Sequence, residues 1–223
     1  MKLTGRLECI ANMVKPCSVL CDIGTDHAYI PMFLVRNCKI SYGIASDIRE
    51  GPCGIALSNI VENDLQDKIE VRRGNGFESI KEGECDSAVI AGMGGNMIIS
   101  IFQRDSNILR TLKQVVLQPQ NAHEILREYL YVNGYDIENE SIVYDDGKFY
   151  VVMSVRYDGT RREKQRINYY IGERLIESRD KFLKAFLTKE IERLSRILNQ
   201  TENDEYIWLL NEYNRIWEEI IDD

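Results

Sequence analysis

Short, unbroken apolar runs alternate with stretches of helical periodicity over the first 157 positions of the chain. Runs at 18–22, 42–47, 69–73, 87–91 and 115–118 read as short strands, and Val19, Leu20 and Cys21 in the first supply the apolar run of a strand covered on both faces. Stretches at 28–36, 52–63, 95–102 and 122–133 repeat apolar positions at helical spacing, and 3–14 reads as an opening amphipathic helix. Alternation of this kind implies right-handed crossovers and a mostly parallel sheet. Two further runs, 136–144 and 149–157, flank Asp145-Asp146-Gly147-Lys148, a tight-hairpin signal. The expectation is therefore an α/β domain built on a seven-stranded, mostly parallel sheet.

The pattern changes after Tyr157. Residues 158–166 are polar, and then Ile176, Leu183, Leu187, Ile191, Leu194 and Leu198 trace the seam of a long helix or coiled coil. Residues 199–204 interrupt it, with Thr201 and Asp204 spaced like a helix start. A second helix follows from Glu205, with Leu209, Tyr213, Ile216 and Trp217 on its apolar side. Two helices joined by a short loop pack as an antiparallel hairpin. The expected division is a domain at 1–157 and a helical appendage at 158–223.

Composition adds limits. A chain of 223 residues, 44% hydrophobic and 29% charged, fits one core with an extension. The net charge of −8 argues against a protein that coats nucleic acid with its whole surface. Charge does separate locally: 156–196 holds 12 basic and 7 acidic residues, +5, and 197–223 holds 1 basic and 8 acidic, −7. The basic stretch could grip a polyanion, or be a solvated face whose Arg174 and Lys181 pair with Glu173 and Glu177. Six cysteines lie within the first 85 residues without a CxxC pair, and there are two histidines, so no metal is expected. The cysteines read as small buried hydrophobes. The amino terminus lacks a signal-peptide core and no run is long enough to span a membrane, so a cytoplasmic protein with reduced thiols is expected.

The candidate chemistry lies in the loops that follow the strands, which gather at one edge of an open parallel sheet. The first breaks from VLC into Asp22, Gly24, Thr25 and Asp26. Asp47 stands 25 positions beyond Asp22, followed by Ile48, where a carboxylate accepts hydrogen bonds from ribose hydroxyls; it could also cap a helix. Asn75 and Gly76 follow the third strand and could meet an adenine edge, although Asn-Gly is also a common turn. Gly92, Met93 and Gly94 follow the fourth and let backbone approach a ligand. The first loop is not a dinucleotide fingerprint, because Asp26 replaces the second glycine. Acids at 22, 26 and 47 favour a cationic nucleoside without phosphate, S-adenosylmethionine, over NAD.

DIGTDHAYIP, ASDIREGP, RRGNGF, AGMGG and LQPQ occur in that order. With these motifs the chain resembles the bacterial tRNA adenine-22 methyltransferase family over essentially its whole length. The resemblance implies a Rossmann-like class I methyltransferase fold with a coiled-coil appendage, S-adenosyl-L-methionine as cofactor, S-adenosyl-L-homocysteine as product, and tRNA methylated on ring nitrogen 1 in the D-arm region. Asn75 departs from the aspartate expected there, which keeps an acceptor oxygen and loses the charge. In this scheme Asp26 and His27 sit between cofactor and base, with Asp26 orienting adenine or the methionine amino group. Tyr29 and Met93 sandwich the base, and Gln118 and Asn121 hydrogen-bond it. His27 could instead cap the following helix, Tyr29 could be a core aromatic, and Gln118 and Asn121 could close a loop. The expected protein is a monomer. Two other readings stand beside it: a methyltransferase with another acceptor, and a non-catalytic RNA-binding module.

Overall fold

The computed structural model describes residues 2–221. Five strands, β1 (Cys17–Ile23), β2 (Ile40–Asp47), β3 (Ile69–Arg73), β4 (Ser87–Met93) and β5 (Gln114–Pro119), run parallel. The hairpin β6 (Tyr135–Asp145) and β7 (Lys148–Tyr157) completes a seven-stranded sheet of order β3-β2-β1-β4-β5-β7-β6, with β7 antiparallel to both neighbours. The turn residues Asp146 and Gly147 both have positive φ, 47° and 76°, the conformation that follows the twist of a hairpin.

Continuous apolar runs become strands here because neighbouring residues feed different layers. Leu20 packs with Ile10 of α1 (Gly5–Met13) and Leu34 of α2 (Tyr29–Arg36), whereas Cys21 packs with Ile98 and Phe102 of α4 (Gly95–Arg104) and Leu126 of α6 (His123–Val132). The third helix, α3 (Glu50–Glu62), covers β2 and β3 through Ala56 and Ile60. A short α5 (Ser106–Leu109) leads into β5. Strand order reverses between β1 and β4, so the crevice at their carboxyl ends is the switch point where such sheets hold ligands.

Three of the helix starts that differ from the spacing have a local cause. Ala28 and Ala122, expected as first helical residues, are left-handed, at φ 56° and 52°, and the helices start one residue later. Each alanine makes the sharp bend that returns the chain from the rim. The third is α3, which begins at Glu50, two residues before Pro52, because proline is tolerated in the first turn, where its missing N–H has no partner to lose.

The region 158–223 holds α7 (Arg166–Ile171), α8 (Glu173–Glu177), α9 (Leu183–Leu198) and α10 (Asp204–Ile221). The seam expected from Ile176 to Leu198 is broken between α8 and α9, where Arg179 has φ 50°. Asp180 accounts for the break: it accepts hydrogen bonds from Phe182 N–H, Ser141 Oγ and Ile142 N–H, tying the bend to β6. Leu183, Leu187 and Leu194 of α9 join Leu209, Tyr213 and Ile216 of α10, in one apolar cluster continuous with Tyr131, Tyr135 and the sheet. Asn203, not Thr201, caps α10, its Oδ1 accepting Tyr206 N–H at 3.0 Å.

Charges in this region are largely paired. Arg174 bonds Glu177 at 2.7 Å, Glu173 pairs with Lys164, and Arg166 pairs with Glu205. Lys181 and Lys184 lie over the rings of Phe182 and Trp217. Cys21 and Cys85 are buried as expected, but Cys38 is exposed, in a positive-φ turn after α2. Among the described residues no helix is long and apolar enough to cross a membrane.

Candidate functional site

The turns after β1, β2, β3 and β4 meet at one rim, where two cavities adjoin. The first, about 380 Å³, is walled by Asp22, Thr25, Asp26, His27, Tyr29 and Gly92. The second, about 610 Å³, is walled by Asp47, Ile48, Asn75, Gly76, Met93 and Met97. Gly24 borders both, and the Met93 methyl lies where a side chain at 24 would stand. Met93 thus forms the partition between two chambers of one cleft. At φ 78°, with a methyl in the place a Cβ would take, Gly24 admits no side chain without strain.

The turn after β1 is pinned to β2: Gly24 N–H and Thr25 N–H both donate to Ser46 O, at 2.7 and 2.9 Å. Ala28 N–H donates to Thr25 Oγ1 at 3.1 Å, so Thr25, not His27, satisfies the start of α2. Asp22 lies at the floor, 6% exposed, with no cation paired to it among the described residues. Burial pushes its carboxyl up to about 6, against a smaller downward pull from the Thr25 hydroxyl. Asp47 accepts Arg49 N–H at 2.7 Å and faces the second chamber, beside the exposed side chains of Ile48 and Met97.

Asp26 and His27 contact each other, Oδ2 to Nε2 at 3.3 Å, and the His27 ring stacks on Tyr29 with centroids 4.9 Å apart and planes 8° from parallel. Tyr29 is 40% exposed and so is no core aromatic. Met93 and Tyr29 do not face each other across a single cavity; the expected sandwich is split between the two chambers.

Gln118 and Asn121 are placed differently from the expectation that they meet the base. Gln118 is fully buried, and its Oε1 accepts Gly92 N–H at 3.2 Å and Arg6 Nη1 at 2.7 Å. Asn121 Oδ1 accepts Gly95 N–H at 3.3 Å. Neither lines a chamber; both hold the Gly92–Gly95 turn against β5 because glycine backbone needs an external acceptor there. Arg6, Arg49 and Gln120 also line the first chamber; Arg49 lies in ASDIREGP and Gln120 in LQPQ, but nothing in the local sequence marks Arg6. His123, at the start of α6, is held neutral: burial and the Arg127 charge push it down to about 4.

The model of the tRNA (adenine(22)-N(1))-methyltransferase family matches residues 20–220. The chain belongs to that family. The tRNA (adenine(22)-N(1))-methyltransferase of Bacillus subtilis is 33% identical over 100% of this chain and 98% of its own. Streptococcus pneumoniae Sp1610, solved in complex with S-adenosyl-L-methionine, superposes with TM-score 0.88 at 30% identity, covering 95% of this chain and 98% of that one. The Mycoplasma capricolum family member, solved with S-adenosyl-homocysteine, superposes with TM-score 0.82 at 28% identity, covering 99% and 98%. Against that family background, Asn75 spends its backbone on Glu78 and Arg104, leaving its side chain at the wall of the second chamber.

Proposed function

We propose that this chain transfers a methyl group from S-adenosyl-L-methionine to ring nitrogen 1 of adenosine 22 in tRNA. The observation that carries the reading is the divided cleft at the switch point of the family fold, with one buried acid in each chamber and no phosphate-binding loop. Its donor set fits the cofactor: Asp47 for ribose hydroxyls, Ile48, Asn75 and Met97 for an adenine ring, and uncompensated Asp22 for a cationic amino-acid end. When bound, the cofactor supplies a methyl group on a positively charged sulfur.

Ring nitrogen 1 carries an in-plane lone pair, so the acceptor needs no general base, and the residues work by placement and exclusion of water. The exposed His27–Tyr29 stack offers an aromatic face to a purine at the mouth of the first chamber. Asp26 keeps His27 in line and places negative charge where the adenine becomes cationic. That nitrogen lies on the pairing edge, so the base enters unpaired and turned out of its stack. Gly92 and Gly94 keep the backbone low between base and cofactor, and Gln118 and Asn121 hold that backbone still. We assign tRNA as the partner and a monomer as the working form, with 158–223 as an appendage to the 1–157 catalytic unit.

The test is transfer of labelled methyl to an unmodified tRNA transcript carrying adenosine 22, beside one carrying guanosine 22. Label confined to the adenosine transcript is the expected result. Equal labelling of both would overturn the site assignment.

A further inference from the structure

Three arginines wall the two chambers, and they are held differently. Arg6 is half-buried, its Nη1 donating to Gln118 Oε1 at 2.7 Å. Arg104 donates from Nη2 to Asp105 at 2.7 Å and to Asn75 O at 2.9 Å, which fixes it against the turn after β3. Arg49 stands at the mouth, between the end of β2 and the start of α3, with its side chain 71% exposed. Its one acidic partner among the described residues is Asp47, Nε to Oδ1 at 3.3 Å, longer than a charge-assisted hydrogen bond of full strength. The exposed acids beside it are engaged elsewhere: Glu50 faces Arg73 at 3.9 Å, and Asp26 faces His27 at 3.3 Å.

That single link falls on an atom the cofactor needs. Asp47 Oδ1 has two lone pairs, and it accepts the Arg49 backbone N–H at 2.7 Å as well as Nε. A ribose diol that spans both carboxylate oxygens takes one of those two places. Nε is the donor that gives way, because the backbone N–H is fixed at the start of α3 while the exposed side chain is free to turn outward. Released, the guanidinium is an unneutralised cation at the mouth of the first chamber, whose wall also carries the exposed His27–Tyr29 stack. A purine laid on that stack keeps its own phosphate outside, on the far side of its sugar, at the rim where Arg49 stands. Guanidinium and phosphate fit as a fork of two parallel hydrogen bonds. We propose that Arg49 is a contact to a tRNA phosphate, released from Asp47 by the cofactor's ribose, so that cofactor binding prepares the cleft for RNA. This rests on the reading that Asp47 holds the ribose of S-adenosyl-L-methionine and that a tRNA purine meets the stack.

Titrations of the unaltered protein and of Arg49→Met test it, with an unmodified tRNA transcript and with S-adenosyl-homocysteine, which permits no turnover. In the unaltered protein each ligand should tighten the other about two- to fivefold, the worth of the exposed link that either one breaks. In Arg49→Met that coupling should fall to about one, and S-adenosyl-homocysteine alone should bind about two- to fivefold more tightly, since its ribose displaces nothing. Transcript binding with S-adenosyl-homocysteine saturating should weaken in the same variant, and the slope of log affinity against log salt should become shallower by about 0.7 to 0.9, one phosphate contact. Arg49→Lys retains the charge and should keep the parent slope. An unchanged slope in Arg49→Met overturns the phosphate contact, and unchanged cofactor affinity and coupling overturn the release. If the unaltered protein binds neither S-adenosyl-homocysteine nor the transcript, the reading of the cleft falls and this one with it; normal binding of both with an unaltered slope sinks the role of Arg49 alone.

Discussion

Asp22 and Glu140 are both acids removed from water, 6% and 2% exposed, and the fold treats them in opposite ways. Glu140, on β6 where the carboxyl-terminal helices meet the sheet, faces Arg127 of α6, Oε1 to Nε at 2.8 Å. Arg127 spends Nη1 on Tyr169 O and Tyr170 O at the end of α7, at 2.8 and 3.0 Å. Gly172, at φ 81°, is where the chain passes so close to this carboxylate that a side chain would collide with it. Both side chains of that ion pair are fully buried. Asp22 is open on one side and, among the described residues, has only the Thr25 hydroxyl as a polar side-chain neighbour. A buried charge with its partner built in locks elements together, whereas one without a partner stores free energy that an arriving cation can release.

The strongest way to break this contrast is at the junction. Arg127→Met leaves Glu140 uncompensated and two carbonyls unbonded, and should cost about 3–5 kcal/mol at pH 7 in a denaturant titration. Arg127→Met with Glu140→Leu should recover most of that loss, since a buried pair replaced by apolar groups is often neutral. Burial raises the Glu140 carboxyl, with Arg127 pulling it down, so loss of Arg127 raises it further. The single variant's penalty should therefore shrink as pH falls, when Glu140 takes a proton. A double variant as unstable as the single one would show that Arg127 acts through packing rather than charge.

At the rim the expected sign is reversed. The Asp22 carboxyl sits at about 6 in the folded chain against 3.8 unfolded, so between those values the folded state binds more protons. Stability then falls as pH rises from about 4 to 6 and stays lower above it, by about 3 kcal/mol, the free-energy equivalent of holding the carboxyl that far above its unfolded value. Asp22→Asn should remove this loss: the ligand-free variant should melt higher than the parent at pH 8 and near it at pH 4. The same variant should bind S-adenosyl-homocysteine more weakly, because the ammonium loses its counter-charge. Equal melting curves at pH 8 would mean that Asp22 is not strained in the folded chain.

The two regions also differ in how far they could be read from the residues alone. Asp22, Asp47, Asn75 and the glycines at 24, 76 and 92 were legible because each follows a strand whose apolar run is local, and parallel topology carries such ends to one rim. The hairpin was legible for the same reason, Asp146 and Gly147 being two adjacent residues that tolerate positive φ. Arg6 was not, since its approach depends on how α1 lies across β5 and β7, contacts more than a hundred residues away. Gln118 looked like a rim residue from its motif, but the register with Ala91 turns it inward. The break near Arg179 was hidden because Ile176 and Leu183 keep heptad spacing across it, while Asp180 is bound to β6 by a contact that spacing cannot encode. Arg127 and Glu140 are ordinary letters in the sequence; only burial makes them a pair.

The finest probe of the contrast is Thr25, the hydroxyl between the Asp22 carboxylate and the first turn of α2. Its oxygen accepts Ala28 N–H at 3.1 Å, and the hydroxyl stands close enough to the Asp22 carboxylate to pull it down. Thr25→Val keeps the shape and deletes the hydroxyl from both neighbours. The unsatisfied Ala28 N–H should cost about 1 kcal/mol of stability. Because the hydroxyl was the influence lowering the Asp22 carboxyl, its loss should move the titration above 6, and the pH at which S-adenosyl-homocysteine affinity reaches its plateau should rise with it. Thr25→Ser restores the hydroxyl and should return that pH to the parent value. If the plateau stays where it was in Thr25→Val, the affinity profile belongs to another group, and Asp22 is then structural in the same sense as Glu140.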